Sequence, residues 1–459
     1  MTRGWRTPRA LAAHWITGCA ATARWVTWVA VCISIPCFPR MAGGQEASAV
    51  GTGWTSPTTW WVASRTTGYW YESIDPSTGV VLARANFLQN VDASVSRLWD
   101  DHLDLRFAGR YADADLYPIQ PTNETRWTVG YAQVRASSWQ VRARLGRLFV
   151  QEGPAHHTLD GAWVKLNPAR RVEVRAWGGS QAPADLEFDI RSIETNLAFG
   201  GRVLATVTPA VRLGVSGAQW EEGGEVAARP VGADATWFPL AGLRAFARAE
   251  YETDAERWQR IELLGDYSPG RGSPWLLRAQ YLDRTPWIEQ TSYFARFAAL
   301  ERVRLMRASA RYQLANGLGG EIESFTSVID TRTSARLGGA VLFRYGRVGY
   351  SALFGDSGEE SQWFGDVDVP VRPWVRLAAG AVIATYALFE DAPNDMERDL
   401  VTLFGRATLD LMPGLRGVLE VQGLKNPDFD EDARILFGLD LFAGRGASKF
   451  GLGRGGWLQ

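Results

Sequence analysis

Charged side chains recur at every second position along several stretches of this chain. In RRVEVRAWGG (170–179), Arg171, Glu173 and Arg175 alternate with Val and Ala residues, and LDLRFAGRY (103–111) shows the same pattern. Successive side chains of an extended strand point to opposite faces, so each stretch predicts a strand with one charged and one apolar face. Charged groups that share one face set an electric field that selects ions and polar solutes when that face lines a watery space.

This alternation gives a set of candidates for lining a lumen. They are Arg142, Arg144, Arg171, Glu173, Arg175, Arg244, Arg248, Glu250, Arg307, Arg311, Arg406, Asp410 and Glu420. The other interpretation of the same residues is that Arg and Glu pair with each other across strands and only fill the interior. The residue types alone leave both interpretations open.

Other residues that could do chemistry are few. Beyond residue 44 the histidines are His102, His156 and His157, and there is no cysteine. Two adjacent histidines face different ways on most backbones, and no spaced Cys or carboxylate cluster completes a metal site. No nucleophile motif, phosphate-binding loop or dinucleotide fingerprint is present. We therefore expect no enzyme activity, no metal and no cofactor. The net charge of −1 without a basic stripe argues against a nucleic-acid partner.

The two-residue period dominates the chain after residue 50, where no convincing helix-period segment appears. It is clear in 243–252, 306–314, 401–411 and 434–441. Each of these stretches predicts a strand with one apolar and one polar face, so the fold class is all-β.

The connections between the strands form two sets. The short set is built on Pro and Gly, which favour tight turns, and lies at 137–139, 167–170, 208–211, 238–242, 268–274, 315–319, 345–347, 371–374 and 412–414. The longer set is acidic and lies at 180–189, 221–225, 355–361, 390–399 and 426–433. Short periplasmic turns and longer extracellular loops are typical of a transmembrane barrel, whereas a β-sandwich gives no reason for such a division.

The first 44 residues have the pattern of a secretory signal. Arg3, Arg6 and Arg9 precede an apolar run at 25–38, and small residues follow at 42–44. The apolar run is too short to span a bilayer comfortably. Cleavage near the end of this segment leaves a chain without cysteine, so the exported protein is expected not to depend on disulfides.

A closed barrel is the architecture that these observations favour in a membrane. The longest apolar run beyond the signal, 377–389, is too short for a spanning helix, and only a closed barrel then satisfies the backbone hydrogen bonds in lipid. Several tryptophans stand near strand ends, where barrels carry aromatic girdles; they are Trp139, Trp237, Trp258, Trp275 and Trp374. The turns imply a single antiparallel transmembrane β-barrel of about 20 strands, within 18–22 and even in number.

The predicted organisation has four parts. They are a signal peptide at 1–44, an irregular or lumenal segment at 45–80, the barrel at 81–445 and a tail at 446–459.

Over roughly residues 80–445 the chain resembles the porin-like outer-membrane β-barrels of Gram-negative bacteria. The stretch 144–168 is similar to the strand–loop–strand around an LGR…DG element in such porins. The C-terminus departs from the pattern, because such barrels often end on an aromatic residue, whereas Trp457 is third from last here and 437–442 (FGLDLF) matches the terminal signal only in part. The resemblance implies an outer-membrane location among lipid and lipopolysaccharide, insertion by the barrel-insertion machinery, and ions or small polar solutes as cargo.

Three functions remain compatible with the sequence. A channel for passive diffusion is favoured because a polar face recurs on nearly every strand, and because 45–80 is too short for the plug of an energised transporter. The alternatives are a closed barrel that serves as a scaffold or surface-interaction protein, and a secreted or periplasmic protein that binds carbohydrate through its tryptophans. For the channel, the irregular stretch 283–304 is the predicted constriction loop. Acidic loops favour cations and lumenal arginines favour anions, so the selectivity stays open, as does the oligomeric state.

Overall fold

Every regular element of the described chain is a β-strand. The computed structural model describes residues 58–74, 81–99, 101–114, 122–136, 140–183, 188–270, 272–285, 301–314, 316–356, 358–387, 398–425 and 432–445. Within these ranges no helix has the length and apolar character needed to cross a bilayer.

The strand segments are long and follow one another in chain order. They are β1 (Thr59–Ile74), β2 (Val81–Leu98), β3 (Leu103–Ala114), β4 (Thr122–Ala136), β5 (Val141–Glu152), β6 (Ala155–Ala169), β7 (Val172–Gln181), β8 (Leu197–Thr208), β9 (Val211–Glu222), β10 (Glu225–Ala228), β11 (Pro230–Leu240), β12 (Leu243–Glu252), β13 (Arg257–Tyr267), β14 (Trp275–Arg284), β15 (Val303–Gln313), β16 (Gly319–Ile329), β17 (Arg332–Phe343), β18 (Gly346–Gly355), β19 (Glu359–Arg372), β20 (Val375–Ala387), β21 (Arg398–Met412), β22 (Leu415–Lys425) and β23 (Asp432–Arg445).

The strands form one closed antiparallel sheet. Consecutive strands pair with each other, and β1 pairs with both β2 and β23, which closes the ring. The segments β10 and β11 both pair with β9 and are two parts of one barrel strand, interrupted at Arg229. The described residues therefore form a ring of 22 strands. The predicted all-β closed barrel with an even strand number is confirmed, at the upper limit of the expected range.

The charged faces of the strands point into the barrel. Residues that pair directly across strands share a face, so the charged rows of neighbouring strands form one continuous surface. Side chains converge on the concave face of a closed sheet and diverge on its convex face. On the charged face Glu250 and Glu420 are only 5% exposed, whereas Leu145, Ile322 and Trp363 of the apolar face are 61–68% exposed. The apolar band is therefore the outer surface.

The two ends of the barrel differ as the Pro- and Gly-based turns predicted. The described strand ends that flank the short set of connections all lie at one end of the barrel, which we call the short-turn end; there Gly242 and Gly414 have φ of 83° and 84°. The described strand ends that flank the acidic connections all lie at the opposite, long-loop end, where β7 ends at Gln181 and β8 begins at Leu197. Some connections at that end are nevertheless short, including the turns at 153–154 and 330–331.

The N-terminal boundary of the barrel needs a correction. Residues 59–74 fall in the segment expected to be irregular or lumenal, but they form β1, which pairs with β2 and closes the ring against β23. Aromatic residues such as Trp60, Trp61 and Trp70 occupy both faces of β1, so its sequence lacks a clear two-residue period. The predicted signal peptide, most of the predicted constriction loop at 283–304 and the tail at 446–459 lie outside the described residues.

Candidate functional site

The candidate lumen residues lie on the inner face with one exception. Arg171 is in the turn before β7, where its Nη1 lies 3.5 Å from the carbonyl oxygen of Val207. The others are distributed over six strands, with Arg142 and Arg144 on β5, Glu173 and Arg175 on β7, Arg244, Arg248 and Glu250 on β12, Arg307 and Arg311 on β15, Arg406 and Asp410 on β21, and Glu420 on β22.

Many of these residues pair with each other. The Arg175 Nε donates to Glu173 at 2.6 Å, the Arg248 Nε donates to Glu250 at 2.6 Å, and Arg406 bonds to Glu420. The inner surface is therefore a lattice of ion pairs, and both sequence-based interpretations, lining and pairing, describe part of it.

The hairpin of β5 and β6 leaves the barrel wall near its end. Pairing of β4 with β5 stops at Arg147, and pairing of β6 with β7 stops at Leu159, but β5 and β6 continue to pair as far as Glu152 and Ala155. Residues 148–158, which we call the hairpin tip, thus have no wall strand beside them. They bend over the lumenal faces of β7–β12, which we call the hairpin wall.

A row of glycines permits this bend. Gly146, Gly161 and Gly179 are directly paired across β5, β6 and β7. Gly146 has a φ of 132°, and a Cβ there would collide with the carbonyl oxygen of Gly130. A Cβ on Gly161 would collide with the carbonyl oxygen of Gly178. Only glycine allows such close backbone approach in a sheet, so this row fixes where the hairpin turns inward.

An ion pair holds the outer side of the hairpin. The Arg147 guanidinium donates two bonds of 2.7 Å to the Asp160 carboxylate, and its Nη2 also donates to the carbonyl oxygen of Asp189 at 2.7 Å. The Arg147 side chain is fully buried, under Trp127 and the stacked ring of Phe188. The LGR and DG segments that resembled a porin element are thus the two halves of this pair.

An apolar cluster packs beneath the hairpin tip. Its members are Leu148, Val150, Ala155, Leu159, Trp163 and Trp177, all less than 9% exposed. Burial of several such side chains contributes roughly 1.5–3 kcal/mol for each large one, so the tip is a packed part of the structure. This apolar cluster lies inside an otherwise charged lumen, at the place where the hairpin tip covers the hairpin wall.

Glu152 connects the hairpin tip to the hairpin wall. Its carboxylate accepts bonds of 2.7 and 2.8 Å from the Arg175 Nη1, and the Arg202 Nη1 lies 3.4 Å away. Arg202 continues the network to Asp234 at 2.7 Å. All four side chains are largely buried, with exposed fractions of 7–22%.

The turn itself touches three further strands. The Arg248 Nη2 donates to the carbonyl oxygen of Gly153 and lies 2.8 Å from the His156 Nε2. A Cβ on Gly153 would strike Ser216 of β9, and a Cβ on Gly232 of β11 would lie 3.2 Å from the Cδ of Pro154. The hairpin tip therefore spans the lumenal faces of β7 to β12 without a gap wide enough for another side chain at these points.

Arginines without a carboxylate partner lie on β5 beside the tip. The Arg144 guanidinium stacks 5.1 Å from the ring centroid of Tyr131 and 4.8 Å from that of Trp163, and its Nε donates to Gln133 at 2.9 Å. No ion pair joins Arg142 or Arg144 to a carboxylate in the part of the chain that the structure describes. These guanidinium groups leave positive charge available on the lumenal surface.

The lumenal faces of β16–β20, which we call the far wall, are simpler. Their charged residues form separate pairs, such as Arg347 with Asp366 and Arg376 with Asp368, both at 2.8 Å. The side chains of these two pairs are 40–49% exposed. No inward-folded element covers them among the described residues.

Sequence reasoning missed the residues that hold the hairpin. Glu152, Arg202 and Asp234 were not candidates, because their contacts join strands that only the sheet register brings together. The two-residue turn Gly153–Pro154 directly after Glu152 is the signal that could have shown a tight hairpin at this end.

The histidines have structural contacts. His157 packs edge-on against Trp220, with ring centroids 5.7 Å apart, and the His102 Nδ1 lies 2.8 Å from the carbonyl oxygen of Arg135. Within the described ranges no group of three or more His, Cys, Asp or Glu side chains has the arrangement of a metal site.

Comparisons with known proteins give likenesses of structure only. No family model matches the chain, and no curated protein matches its sequence. The usher PapC translocation pore is similar with 10% identity and a TM-score of 0.46, over 83% of this chain and 99% of that one. OccAB1 of Acinetobacter baumannii has 9% identity and a TM-score of 0.42, over 85% and 98%. The outer membrane protein OpdK of Pseudomonas aeruginosa has 10% identity and a TM-score of 0.38, over 86% and 100%.

Proposed function

We propose that this protein is an outer-membrane channel through which ions and small polar solutes diffuse passively, narrowed by the hairpin of β5 and β6. The observation that supports this most strongly is the hairpin tip itself. It is bound by Glu152, Arg248 and an apolar cluster to one side of a charged lumen. A folded element of this kind reduces the open cross-section without filling it, because the far wall stays exposed.

The outer surface supports a membrane location. Trp237, Trp275 and Trp374 are 47–57% exposed and lie beside connections at the short-turn end, where an aromatic girdle is expected. Between the ends the outer face is apolar, as lipid requires. The secretory signal predicted at 1–44 would direct export from the cytoplasm. We infer from this that the barrel-insertion machinery places the protein in an outer membrane of lipid and lipopolysaccharide.

The charges suggest how the channel acts on solutes. Most lumenal arginines are neutralised by carboxylates, whereas Arg142 and Arg144 stand on β5 without an ion pair in the described ranges. Solutes pass between the hairpin and the far wall in this proposal, and they meet fixed dipoles and a small excess of positive charge. Opposed charges of this kind bias which ions enter without binding them tightly.

Recordings from the purified protein in planar lipid bilayers test the channel directly. We expect stepwise current increases in potassium chloride as single barrels insert. Purified, folded protein that inserts, as shown by detergent-dependent extraction and heat-modifiable gel migration, but carries no current would refute the proposal.

The second candidate is a closed barrel that serves as a scaffold at the cell surface. The connection between β7 and β8 favours it, because Phe188, Ile190 and Ile193 are 55–63% exposed at the long-loop end. An inserted barrel without current, in which replacement of Ile190 and Ile193 by Ser abolishes binding to a surface partner, would establish this function instead.

A further inference from the structure

The far wall contains a recess beside the Arg347–Asp366 pair. It is a half-open cavity of about 170 Å³ on the lumenal faces of β16–β19. Its floor consists of small residues, namely Gly338 and Ala340 of β17 and Ser351 of β18. Gly338 pairs with Ser351, and Ala340 pairs with Gly349, which the Phe364 ring covers.

Larger side chains surround this floor on both sides. Glu321 and Glu323 of β16 are paired with Ala340 and Gly338, and Gln362 and Phe364 of β19 are paired with Ser351 and Gly349. The depression therefore follows from the sequence, since three small residues meet between rows of long ones. It has room for a single small ring.

The polar groups around the recess are held in place. Arg336 bonds to Glu360 at 2.8 Å, Arg347 bonds to Asp366 at 2.8 Å, and Glu323 accepts from Arg307 at 2.9 Å. Each ion pair uses one edge of the planar guanidinium or carboxylate group. The remaining edges of that group can form hydrogen bonds with a ligand. Such groups are oriented before a ligand arrives, so less side-chain entropy is lost on binding.

Two side chains in the recess, Glu321 and Gln362, have oxygen atoms that can accept hydrogen bonds from a ligand. No described side chain forms an ion pair with Glu321, whose carboxylate can accept from ligand hydroxyls. The Gln362 Nε2 donates to the Ser351 Oγ at 2.8 Å, which orients the amide and leaves its carbonyl oxygen free to accept. Donors and acceptors are thus both present on the same small surface.

Aromatic rings supply the apolar part of the lining. Phe325 and Phe364 border the recess on opposite strands, and the Arg347 guanidinium lies 5.4 Å from the Phe364 ring centroid. The faces of such rings pack against the C–H groups of a ligand.

We propose that this recess is a binding site for a neutral sugar of monosaccharide size. Around the recess, Arg307, Arg311, Arg336 and Arg347 balance Glu321, Glu323, Glu360 and Asp366 in charge, so an anion or a cation gains no net attraction there. A sugar hydroxyl both donates and accepts, which matches carboxylate, guanidinium and amide groups that converge on one floor. The C–H groups of a sugar ring match the apolar rings of Phe325 and Phe364 in the lining. A weak site of this kind, open to the passage, raises the local concentration of sugar without holding it.

The inference rests on the proposed channel and is tested on the same inserted barrels. Glucose is added to single channels in potassium chloride, with glycine as a zwitterionic probe of smaller size. We expect glucose to reduce the mean current in a saturable manner at millimolar concentrations, whereas glycine leaves the current unchanged. Ala340→Leu fills the floor and Glu321→Gln removes an acceptor, and each should raise the half-saturating glucose concentration at least about tenfold.

Ala378→Leu is the matched control, because Ala378 is also a half-buried lumenal alanine but lies on β20, outside the recess. It should leave the glucose response as in the native channel. Open channels with normal current and no saturable glucose effect would overturn the sugar site and leave the channel intact. A response to glycine that Ala340→Leu abolishes, with no response to glucose, would overturn it in favour of a zwitterionic ligand. Absence of any current would instead refute the proposed function itself.

Discussion

The hairpin wall and the far wall are built from the same residue types but differ in solvation. Where the hairpin tip meets the hairpin wall, the side chains of Glu152, Arg202 and Asp234 are 7–17% exposed and share one network. On the far wall, Arg376 and Asp368 form a single pair with 44% and 48% of their side chains exposed. The two walls differ because the hairpin tip covers the hairpin wall and excludes water from it. Among the described residues, no element covers the far wall in this way.

This comparison shows why charge pairs in a lumen are not equivalent. An exposed ion pair contributes about 0–1 kcal/mol, because water competes for both partners. Removal of one partner of a buried pair costs about 3–5 kcal/mol, because the other charge remains desolvated and unpaired. The hairpin wall is therefore expected to control the shape of the passage, and the far wall is free to contact solutes.

The largest effect is expected at Glu152. Glu152→Gln leaves Arg175 and Arg202 beside a neutral amide. We expect the free energy of hairpin docking to weaken by about 3 kcal/mol, which is the lower end of the cost of breaking a buried ion pair. The lower end applies because both arginines keep another carboxylate partner. Single-channel conductance should rise severalfold as the tip leaves the hairpin wall. A conductance equal to that of the native channel would show that the hairpin does not limit the current.

The glycine row is the next most sensitive feature. Gly161→Val places a side chain where the carbonyl oxygen of Gly178 lies, and the resulting backbone shift should cost about 1–3 kcal/mol, as overpacking does. We expect a lower midpoint temperature in the heat-modifiable migration of the barrel. Gly265→Val is the control, because no atom lies within 4 Å of a Cβ at that position. Equal midpoints for the two variants would contradict the close approach of β6 and β7.

A smaller effect is expected at the turn of the hairpin. His156→Ala removes the side chain that lies 2.8 Å from the Arg248 guanidinium but leaves the bond from Arg248 to Gly153 in place. Loss of one hydrogen bond costs about 1 kcal/mol, so the tip should undock briefly and more often. Increased current noise at unchanged mean conductance is the expected observation, and a native noise spectrum would count against contact with β12.

The smallest effect is expected on the far wall. Asp368→Asn breaks an exposed pair, and we expect less than about 1 kcal/mol of destabilisation together with unchanged conductance in concentrated salt. The contrast is measured by comparing the heat-modifiable gel migration and the single-channel current of this variant with those of the Glu152→Gln variant. A loss as large as that at Glu152 would abolish the distinction between the two walls.

The sequence was sufficient for the barrel and insufficient for the hairpin tip inside it. The two-residue period of strands such as 243–252 and the Pro- and Gly-based turns predicted the closed antiparallel fold, because an apolar outer surface and a polar inner surface require that alternation. β1 escaped detection because aromatic residues occupy both of its faces. The role of Glu152 escaped because it depends on Arg175, Arg202 and Asp234, which only the sheet register brings together.

The position of the hairpin tip inside the lumen is tested most directly by cross-linking. All three cysteines of the chain lie within its first 37 residues, so a chain without the signal has none and introduced pairs report without background. Pro154→Cys combined with Gly232→Cys should form a disulfide on mild oxidation, because a Cβ at position 232 would lie 3.2 Å from the Cδ of Pro154, and the oxidised channel should conduct like the native one. Pro154→Cys combined with Ala340→Cys on the far wall should not cross-link. A disulfide in the second pair but not in the first would contradict the account.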